Sequence, residues 1–219
     1  MTTTAKAAHS DARFKRVVER IGAEAFWLRT YQDAINGMKG VHAIGLDFFR
    51  VSLNALKDAR LVRLIRVLED DPQVASFWYL LKCNARIVRA AANKSGLDLP
   101  KLIVAAQALL AIRNKTFMHI DKEGVFDPQS FYKAAGLTNN DVERIVRRLW
   151  GTMNRLHVEV FGKEIQGDEY PGTDIRILAE LRDGKQGVRL HFSETAPQPR
   201  FDPGFDETPS DGRQDSPSR

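Results

Sequence analysis

The chain has 219 residues, 43% of them hydrophobic, and a formal net charge of +5 at pH 7. A chain of this length can form one sizeable hydrophobic core or at most two small ones, so we expect one domain with a tail. Cys83 is the single cysteine and no charged-then-apolar leader opens the chain, which predicts a cytoplasmic protein without disulfides. The longest nearly apolar stretch, Leu102 to Ile112, is far shorter than the roughly 20 residues that a membrane span needs.

The composition also bears on metals and on partners. Cysteine and histidine are too few and too scattered for a structural zinc site, since tetrahedral coordination takes four such ligands in close pairs. We expect no metal and no other cofactor. Residues 193–219 carry a net charge of −3, which leaves +8 on residues 1–192. A net positive charge on residues 1–192 attracts polyanions such as RNA. A surplus of eight positive charges over this length is explained equally well as ordinary surface charge that keeps a protein soluble.

The apolar residues recur with a helical period from the first residues after a short leader. We expect residues 1–9 to be a disordered leader and Ser10 to cap a long amphipathic helix that reaches about Gly37. The apolar set from Ile44 to Leu68 predicts one bent helix or two in series. Pro72 ends this segment, because a proline cannot continue a helix.

Two more helices are predicted before residue 113. Gln73 to Asn93 forms the first of them, and Gly96 marks its C-terminal end. Asp98 as the N-cap and Pro100 in the first turn then open a helix that is apolar nearly all round from Leu102 to Ile112. We expect this apolar helix to be the most buried of the chain.

The remaining elements complete an all-helical pattern. A short helical piece is predicted around Phe131 to Ala135, and Thr138 or Asn139 caps a long helix that ends at Gly162. Residues 173–192 can form a helix or a strand, and we favour the helix. Since neither a repeat nor a strand-helix alternation is present, the sequence predicts an all-α bundle of five to six helices.

The C-terminal part differs in composition. Five of the nine prolines follow residue 193, among serine, aspartate and glycine. Such a segment cannot bury enough apolar surface to offset its ordering entropy. We therefore expect a helical domain over residues 10–165, a C-terminal extension over 166–192, and a disordered, acidic, proline-rich tail over 193–219.

Several catalytic classes find no support in the sequence. No glycine loop has the spacing that cradles nucleotide phosphates, which excludes the nucleotide hydrolases that use one. Cys83 lies within an apolar helical run, where a small buried hydrophobic residue is expected. His157 and Glu159 lack the spacing that puts two ligands on one helical face, so His157 is expected to be a surface or interface histidine.

The stretch that stands out follows the most apolar helix and is abruptly polar and charged: RNKTFMH, residues 113–119. On an unbroken helix, Arg113 and His119 lie about 120° apart around the axis and about 9 Å apart along it. They converge only if the helix unwinds locally or if a second copy of the helix packs across a twofold axis. A functional interpretation of this stretch therefore predicts a homodimer.

The arginine, five residues, histidine pattern of this run, with Asn114 directly after the arginine, resembles the HEPN superfamily and most closely its abortive-infection branch. HEPN stands for higher eukaryote and prokaryote nucleotide-binding domains. Asp121 lies just beyond the run, and the segment FFRVSLNALKDARLVRLIRVLEDD, residues 48–71, looks like the aromatic-rich helix and acidic turn of that branch. The resemblance covers roughly residues 10–165.

This resemblance implies a HEPN-like helical bundle that is a metal-independent endoribonuclease, often a toxin or antiviral effector, which acts as a dimer and is restrained by an antitoxin or regulatory protein. By position, His119 would be the acid and base, Arg113 the phosphate clamp, and Asn114 the polar residue that orients the site. Histidine exchanges protons near neutral pH, and a guanidinium grips two phosphate oxygens. Only RNA brings its own 2′ nucleophile, so a cyclic phosphate and a free 5′-hydroxyl are the expected products.

Lys115 and one face of the last long helix are predicted to guide the RNA backbone towards this cleft. The residues of that face are Arg144, Arg147, Arg148 and Arg155. The alternative for these four arginines is a solvated helix face.

Three broader alternatives stay open. Arg113 can instead make an interhelical salt bridge, with His119 a satisfied histidine that the helix dipole favours at a C-terminus. In function, the same dimeric fold can be a non-catalytic module that binds RNA, a nucleotide or a protein partner. A purely structural interaction protein that makes contact through its acidic tail is the third class.

Overall fold

The computed structural model of the chain describes residues 2–38, 47–114 and 133–167. Every regular element in these residues is a helix, which confirms the predicted all-α class. The helices are α1 (Thr2–Gly37), α2 (Asp47–Leu68), α3 (Phe77–Cys83), α4 (Ala85–Lys94), α5 (Leu99–Ile112) and α6 (Asn139–Phe161).

The core forms around α1 and α6, the two longest helices. α1 packs against α6, α2 and α3, while α4 packs on α6 and α5 packs on α2. The predicted apolar stripes of α1 and α6 face this core, and burying each large side chain contributes about 1.5–3 kcal/mol. Their fully buried members include Val18, Ile21, Leu28, Leu149, Met153 and Leu156.

The start of α1 differs from the prediction. The helix begins at Thr2, so residues 2–9 are helical, and Ser10 lies within the helix instead of capping it. Ala5, Ala7 and Ala8 explain the extension, because alanine has the highest helix propensity and neither glycine nor proline precedes residue 22.

Asn84 breaks the helix that the sequence predicts from Gln73 to Asn93. Its backbone leaves the helical range at φ −148° and ψ 74°, and its Oδ1 accepts the Ile87 N–H at 3.4 Å, which caps α4. α3 itself begins only at Phe77, after the N-cap Ser76. Asparagine is among the best N-caps, but apolar residues continue with a helical period on both sides of Asn84 and mask the break.

The predicted starts of α5 and α6 are confirmed. Asp98 caps α5 by accepting the Lys101 N–H at 3.1 Å, and this backbone hydrogen bond lowers the pKa of Asp98. At α6, Thr138 Oγ1 accepts the Asp141 N–H at 3.2 Å, while the Asp141 carboxylate accepts the Thr138 N–H at 3.0 Å. The hydrogen bond from the Thr138 hydroxyl lowers the pKa of Asp141. Gly162 ends α6 with φ 70°, as the sequence predicts.

A buried arginine ties three helices together. Arg60 of α2 is 2% exposed, and its guanidinium donates to Gln32 Oε1 of α1 and, at 3.4 Å, to Asn139 Oδ1 of α6. Burial lowers the pKa of Arg60. The amide partners offset part of the cost of burying the charge, because they accept hydrogen bonds that water would otherwise accept.

One face of α5 lies at the surface. Leu102 and Leu109 are buried, whereas Ile103 is 48% and Val104 is 65% exposed. The prediction that this helix is the most buried is therefore wrong. Hydropathy reports the composition of a helix, but burial depends on how many neighbouring elements cover it.

Three predicted segments fall wholly or partly outside the described ranges. The helical piece at Phe131 to Ala135 is described only from Lys133, and residues 173–192 and 193–219 are not described. In the described part of the chain, no single helix is long and apolar enough to cross a membrane. α4 and α5 meet that requirement only as a pair, and the pair bends by 94° at its break.

Gly96, which follows the C-cap residue Ser95 of α4, tests the packing of α4 against α6. Its φ of +67° is left-handed, and an added Cβ would lie 2.8 Å from Arg148 Nη1. Left-handed backbone costs an alanine about 1–2 kcal/mol, and displacing Arg148 adds to this cost. We expect Gly96→Ala to lower the free energy of unfolding more than Gly162→Ala, which has a similar φ of +70° but open space around it. Urea denaturation measures both, and equal losses would contradict the Arg148 contact.

Candidate functional site

Arg113 follows α5, and its guanidinium joins two segments of the chain. Its Nη1 forms an ion pair with Glu69, which directly follows α2. Its Nε donates a hydrogen bond to Asn114 Oδ1 at 3.1 Å. The side chains of the ion pair are 27% and 24% exposed, so the pair is partly screened from water but remains accessible.

The end of α2 is held by two further contacts. Trp78 Nε1 of α3 donates to the Leu68 carbonyl at 2.7 Å, and Lys82 Nζ lies 2.9 Å from Asp70 Oδ1. Together with the ion pair between Glu69 and Arg113, these contacts connect α2, α3 and the end of α5. We call this region the α2–α3–α5 junction.

The interhelical salt bridge that one interpretation predicts for Arg113 is therefore present. It does not use up the guanidinium, which carries five N–H donors. Across residues 2–38, 47–114 and 133–167, no acceptor binds Nη2. Asn114 contacts the arginine as an orienting residue would. The arrangement holds the cation in place and leaves donors that can bind an anionic oxygen.

Three further residues of the predicted site lie outside the described residues: Lys115, His119 and Asp121. The distance between Arg113 and His119 therefore stays a prediction from the sequence, as do the acid and base role of His119 and the RNA-guiding role of Lys115.

Two of the four arginines predicted to guide RNA have partners within the chain. Arg144 forms an ion pair with Asp141, one helical turn away. Arg148 Nη1 donates to the Ser95 carbonyl at 2.9 Å, at the C-terminal end of α4. Carbonyls at a helix end lack intrahelical donors, so Arg148 stabilises the end of α4. The sequence did not reveal this role, because the two residues are 53 positions apart.

Arg147 and Arg155 are exposed and have no ion-pair partner in the parts of the chain that the structure describes. At 100° per residue, all four arginines fall within an arc of about 100° and share one face of α6. Arg155 borders a surface groove together with Arg86 and Lys94 of α4. Sequence reasoning did not single out these two residues of α4, because their relation to α6 arises only on folding.

The remaining reactive side chains have different surroundings. Cys83 is exposed, so the prediction that it is buried is wrong; α3 ends at this residue, and no further helical turn covers it. His157 Nδ1 lies 2.7 Å from the Lys163 carbonyl, and its ring centroid is 4.6 Å from that of Phe161. Within the described residues, no group of three or more His, Cys, Asp or Glu could hold a metal ion.

Comparisons with known proteins give no match to a protein-family model, to a curated protein or to a solved structure. The HEPN resemblance therefore rests on the sequence pattern around residues 48–71 and 113–121.

A double-mutant cycle on Glu69 and Arg113 tests whether the junction is energetically coupled. We expect Glu69→Ala, Arg113→Ala and the double variant to give a coupling energy of about 0.5–1 kcal/mol in urea denaturation. The matched control is the cycle on Asp70 and Lys82, whose side chains are 63% and 65% exposed, and its coupling should be smaller because water screens it. A coupling between Glu69 and Arg113 no larger than the control would contradict the description of the junction.

Proposed function

We propose that the protein is a metal-independent endoribonuclease of the HEPN type, acting as a homodimer. The observation that carries the proposal is the guanidinium of Arg113, which Glu69 and Asn114 hold beside α5 while its Nη2 donors remain available in the described structure. The sequence places a histidine six positions later, at His119. A fixed cation and a proton-transfer group near one another are the two elements that cleavage of RNA without a metal requires.

In the proposed reaction, the ribose 2′-oxygen attacks the adjacent phosphorus. The bond from phosphorus to the 2′-oxygen forms, and the bond to the 5′-oxygen of the next nucleotide breaks. A histidine takes the proton of the 2′-hydroxyl and a histidine returns a proton to the departing 5′-oxygen, the two roles that we propose for His119. The products are a 2′,3′-cyclic phosphate and a free 5′-hydroxyl, and no external nucleophile is consumed.

Arg113 is proposed to stabilise the charge that grows on the phosphate oxygens during this attack. A guanidinium stays protonated at any physiological pH and presents its donors in a rigid fork. Its fixation matters because a donor that is already oriented costs no reorganisation in the transition state. The carboxylate of Glu69 reduces the net positive charge at Arg113 but fixes the orientation of the guanidinium. Asn114 fixes that orientation through the guanidinium's Nε.

The homodimer belongs to the proposal because Arg113 and His119 would point about 120° apart if an α-helix continued unbroken to residue 119. Two copies related by a twofold axis can bring an arginine and a histidine of different chains to one phosphate.

We propose that the RNA backbone is held by Lys115, Arg147 and Arg155. Arg144 and Arg148 are proposed to contribute as well, through the N–H donors that their partners within the chain do not occupy. A ribonuclease of this kind harms its host, so we also propose an antitoxin or other regulatory protein as a partner, with a toxin or antiviral role.

The proposal is tested by incubating the full chain with a structured, end-labelled RNA in excess chelator. We expect wild-type protein to cut, Arg113→Ala to lose about 100- to 1,000-fold of the rate, and His119→Ala to lose about 100- to 10,000-fold. Arg113→Lys should fall between wild type and Arg113→Ala, because lysine keeps the charge but loses the fork. Fragments should carry a cyclic phosphate.

The matched control for the histidine is His157→Ala, which removes an imidazole bonded to the Lys163 carbonyl and far in sequence from the motif. Circular dichroism checks that each variant is folded. Cutting by His119→Ala at the wild-type rate would refute the assignment, and so would cutting that chelator abolishes. RNA with a 2′-deoxy sugar at the cut position should resist cleavage.

The alternative is a non-catalytic RNA-binding module of the same fold. The observation that favours it is the set of exposed arginines on one face of α6. Binding of RNA through these arginines needs no catalytic histidine. Binding of RNA with a steep salt dependence but without any cleavage would support this alternative over the enzyme.

A further inference from the structure

The groove between α4 and α6 is the feature that carries a further inference. Its lining comes from residues 86–94 of α4 and residues 151–159 of α6. Three of its lining residues are small, namely Ala90, Ala91 and Gly151. The groove is a partly open surface cavity with a volume of about 700 Å³.

The two helices run antiparallel along this groove. Arg148 donates to the Ser95 carbonyl, and an added Cβ on Gly151 would lie 3.5 Å from the Ser95 side chain. The C-terminal end of α4 therefore lies beside residues 148–151 of α6, and the start of α4 lies towards Glu159. Lys94 is consequently at the end of the groove nearest the arginines in the first half of α6.

Three cations line the groove without a neutralising partner. Arg86 and Lys94 extend from α4 and Arg155 from α6, and within the described ranges no carboxylate lies within 4.0 Å of their charged nitrogens. This differs from Lys82 and Lys101, which pair with Asp70 and Asp98 at 2.9 and 3.1 Å. Charges that the fold does not neutralise remain available to a ligand.

The spacing of these cations fits a chain of phosphates. Arg86 and Lys94 are eight residues apart, which is about 12 Å along a helix. Three or four consecutive phosphates of one strand span about the same length, since successive phosphates are about 3.4 Å apart along the axis of a duplex. Asn154 adds a side-chain amide to the groove; its Oδ1 accepts the Ile165 N–H at 2.9 Å, which turns the amide of Asn154 into a fixed group whose N–H donors suit phosphate oxygens.

Two carboxylates, Glu159 and Glu164, also line the groove. Glu159 lies at the Arg86 end, by the antiparallel arrangement of the helices, and Glu164 directly precedes Ile165, whose N–H binds Asn154. These two carboxylates repel a polyanion, so the groove attracts phosphates most strongly at its Lys94 end and more weakly at its Arg86 end.

We propose that the α4–α6 groove is the binding site for the phosphate backbone of RNA, and that Arg86, Lys94 and Arg155 are its phosphate contacts. The inference deepens the proposed function and takes RNA as the polyanion from it. It assigns Arg86 and Lys94 a role that the sequence pattern did not indicate, and it separates binding of the strand from the chemistry at Arg113.

The test uses a fluorescent 2′-O-methyl RNA, which has no 2′-hydroxyl and cannot be cut, with the full-length chain. The variant Arg86→Gln, Lys94→Gln, Arg155→Gln removes three positive charges. We expect the affinity to fall at least about tenfold near 0.1 M salt. The slope of log K against log salt should fall by about two, since each lost phosphate contact contributes about 0.7–0.9.

The matched control is Arg16→Gln, Arg66→Gln, Lys133→Gln. Like the groove variant, it removes two arginines and one lysine. Its three residues are exposed and do not line the groove. We expect its affinity to stay within about twofold of wild type and its salt slope to change by less than one. Equal weakening by the two triple variants would overturn the inference, because net charge alone would then explain binding. Thermal denaturation confirms that both variants are folded.

Cleavage measurements keep this inference distinguishable from the proposed function. If the groove binds RNA, the groove variant should cut with a raised KM and a kcat close to that of wild type. If the chain binds RNA through the groove but never cuts it, the proposed endoribonuclease activity is wrong and the binding site is supported. If cleavage depends on His119 and the groove variant has an unchanged KM, the proposed binding site is wrong and the endoribonuclease activity is supported. Groove-dependent capture of polyglutamate with no binding of RNA would also overturn it, in favour of an acidic peptide.

Discussion

The candidate site depends on the ion pair between Glu69 and Arg113. Arginine on a free helix end samples many rotamers, and fixing it costs side-chain entropy. Here the carboxylate that follows α2 and the amide of Asn114 hold the guanidinium from two sides. Trp78 in turn holds the last carbonyl of α2, that of Leu68, at 2.7 Å. A cation oriented in advance is what stabilisation of a growing negative charge requires, and the proposed chemistry rests on this orientation.

Helix ends with a local chemical signal were predictable, and interruptions of a continuous apolar pattern were not. Asp98 and Thr138 each bind a backbone N–H three residues ahead, so the signal lies within one helical turn of sequence. Asn84 makes the same kind of bond, but apolar residues on both sides favour a continuous helix. The exposure of Val104 lay beyond the sequence for another reason: composition does not tell which face of a helix finds a neighbour.

The site shows the same division between local and distant contacts. The bond between Arg113 and Asn114 joins adjacent residues, whereas Glu69 is 44 positions away and was recognised only as part of an acidic turn. The arginines of α6 were correctly placed on one face, yet Arg148 is engaged with Ser95. Arg86 and Lys94 meet Arg155 only because α4 and α6 are antiparallel neighbours. Side-chain types and spacing thus indicate candidates, and packing between helices decides which of them keep free charge.

The most direct measurement of the central claim is a subunit-mixing experiment on cleavage. Arg113→Ala and His119→Ala are mixed in varied ratios under conditions that allow subunits to exchange, at constant total concentration. If an arginine and a histidine of different chains form one cleft, each variant alone is inactive, but the mixed dimer pairs the intact Arg113 of one chain with the intact His119 of the other. We then expect about a quarter of the wild-type rate at equal amounts of the two variants. Mixtures as inactive as the separate variants would show that both groups act within one chain and would contradict the account.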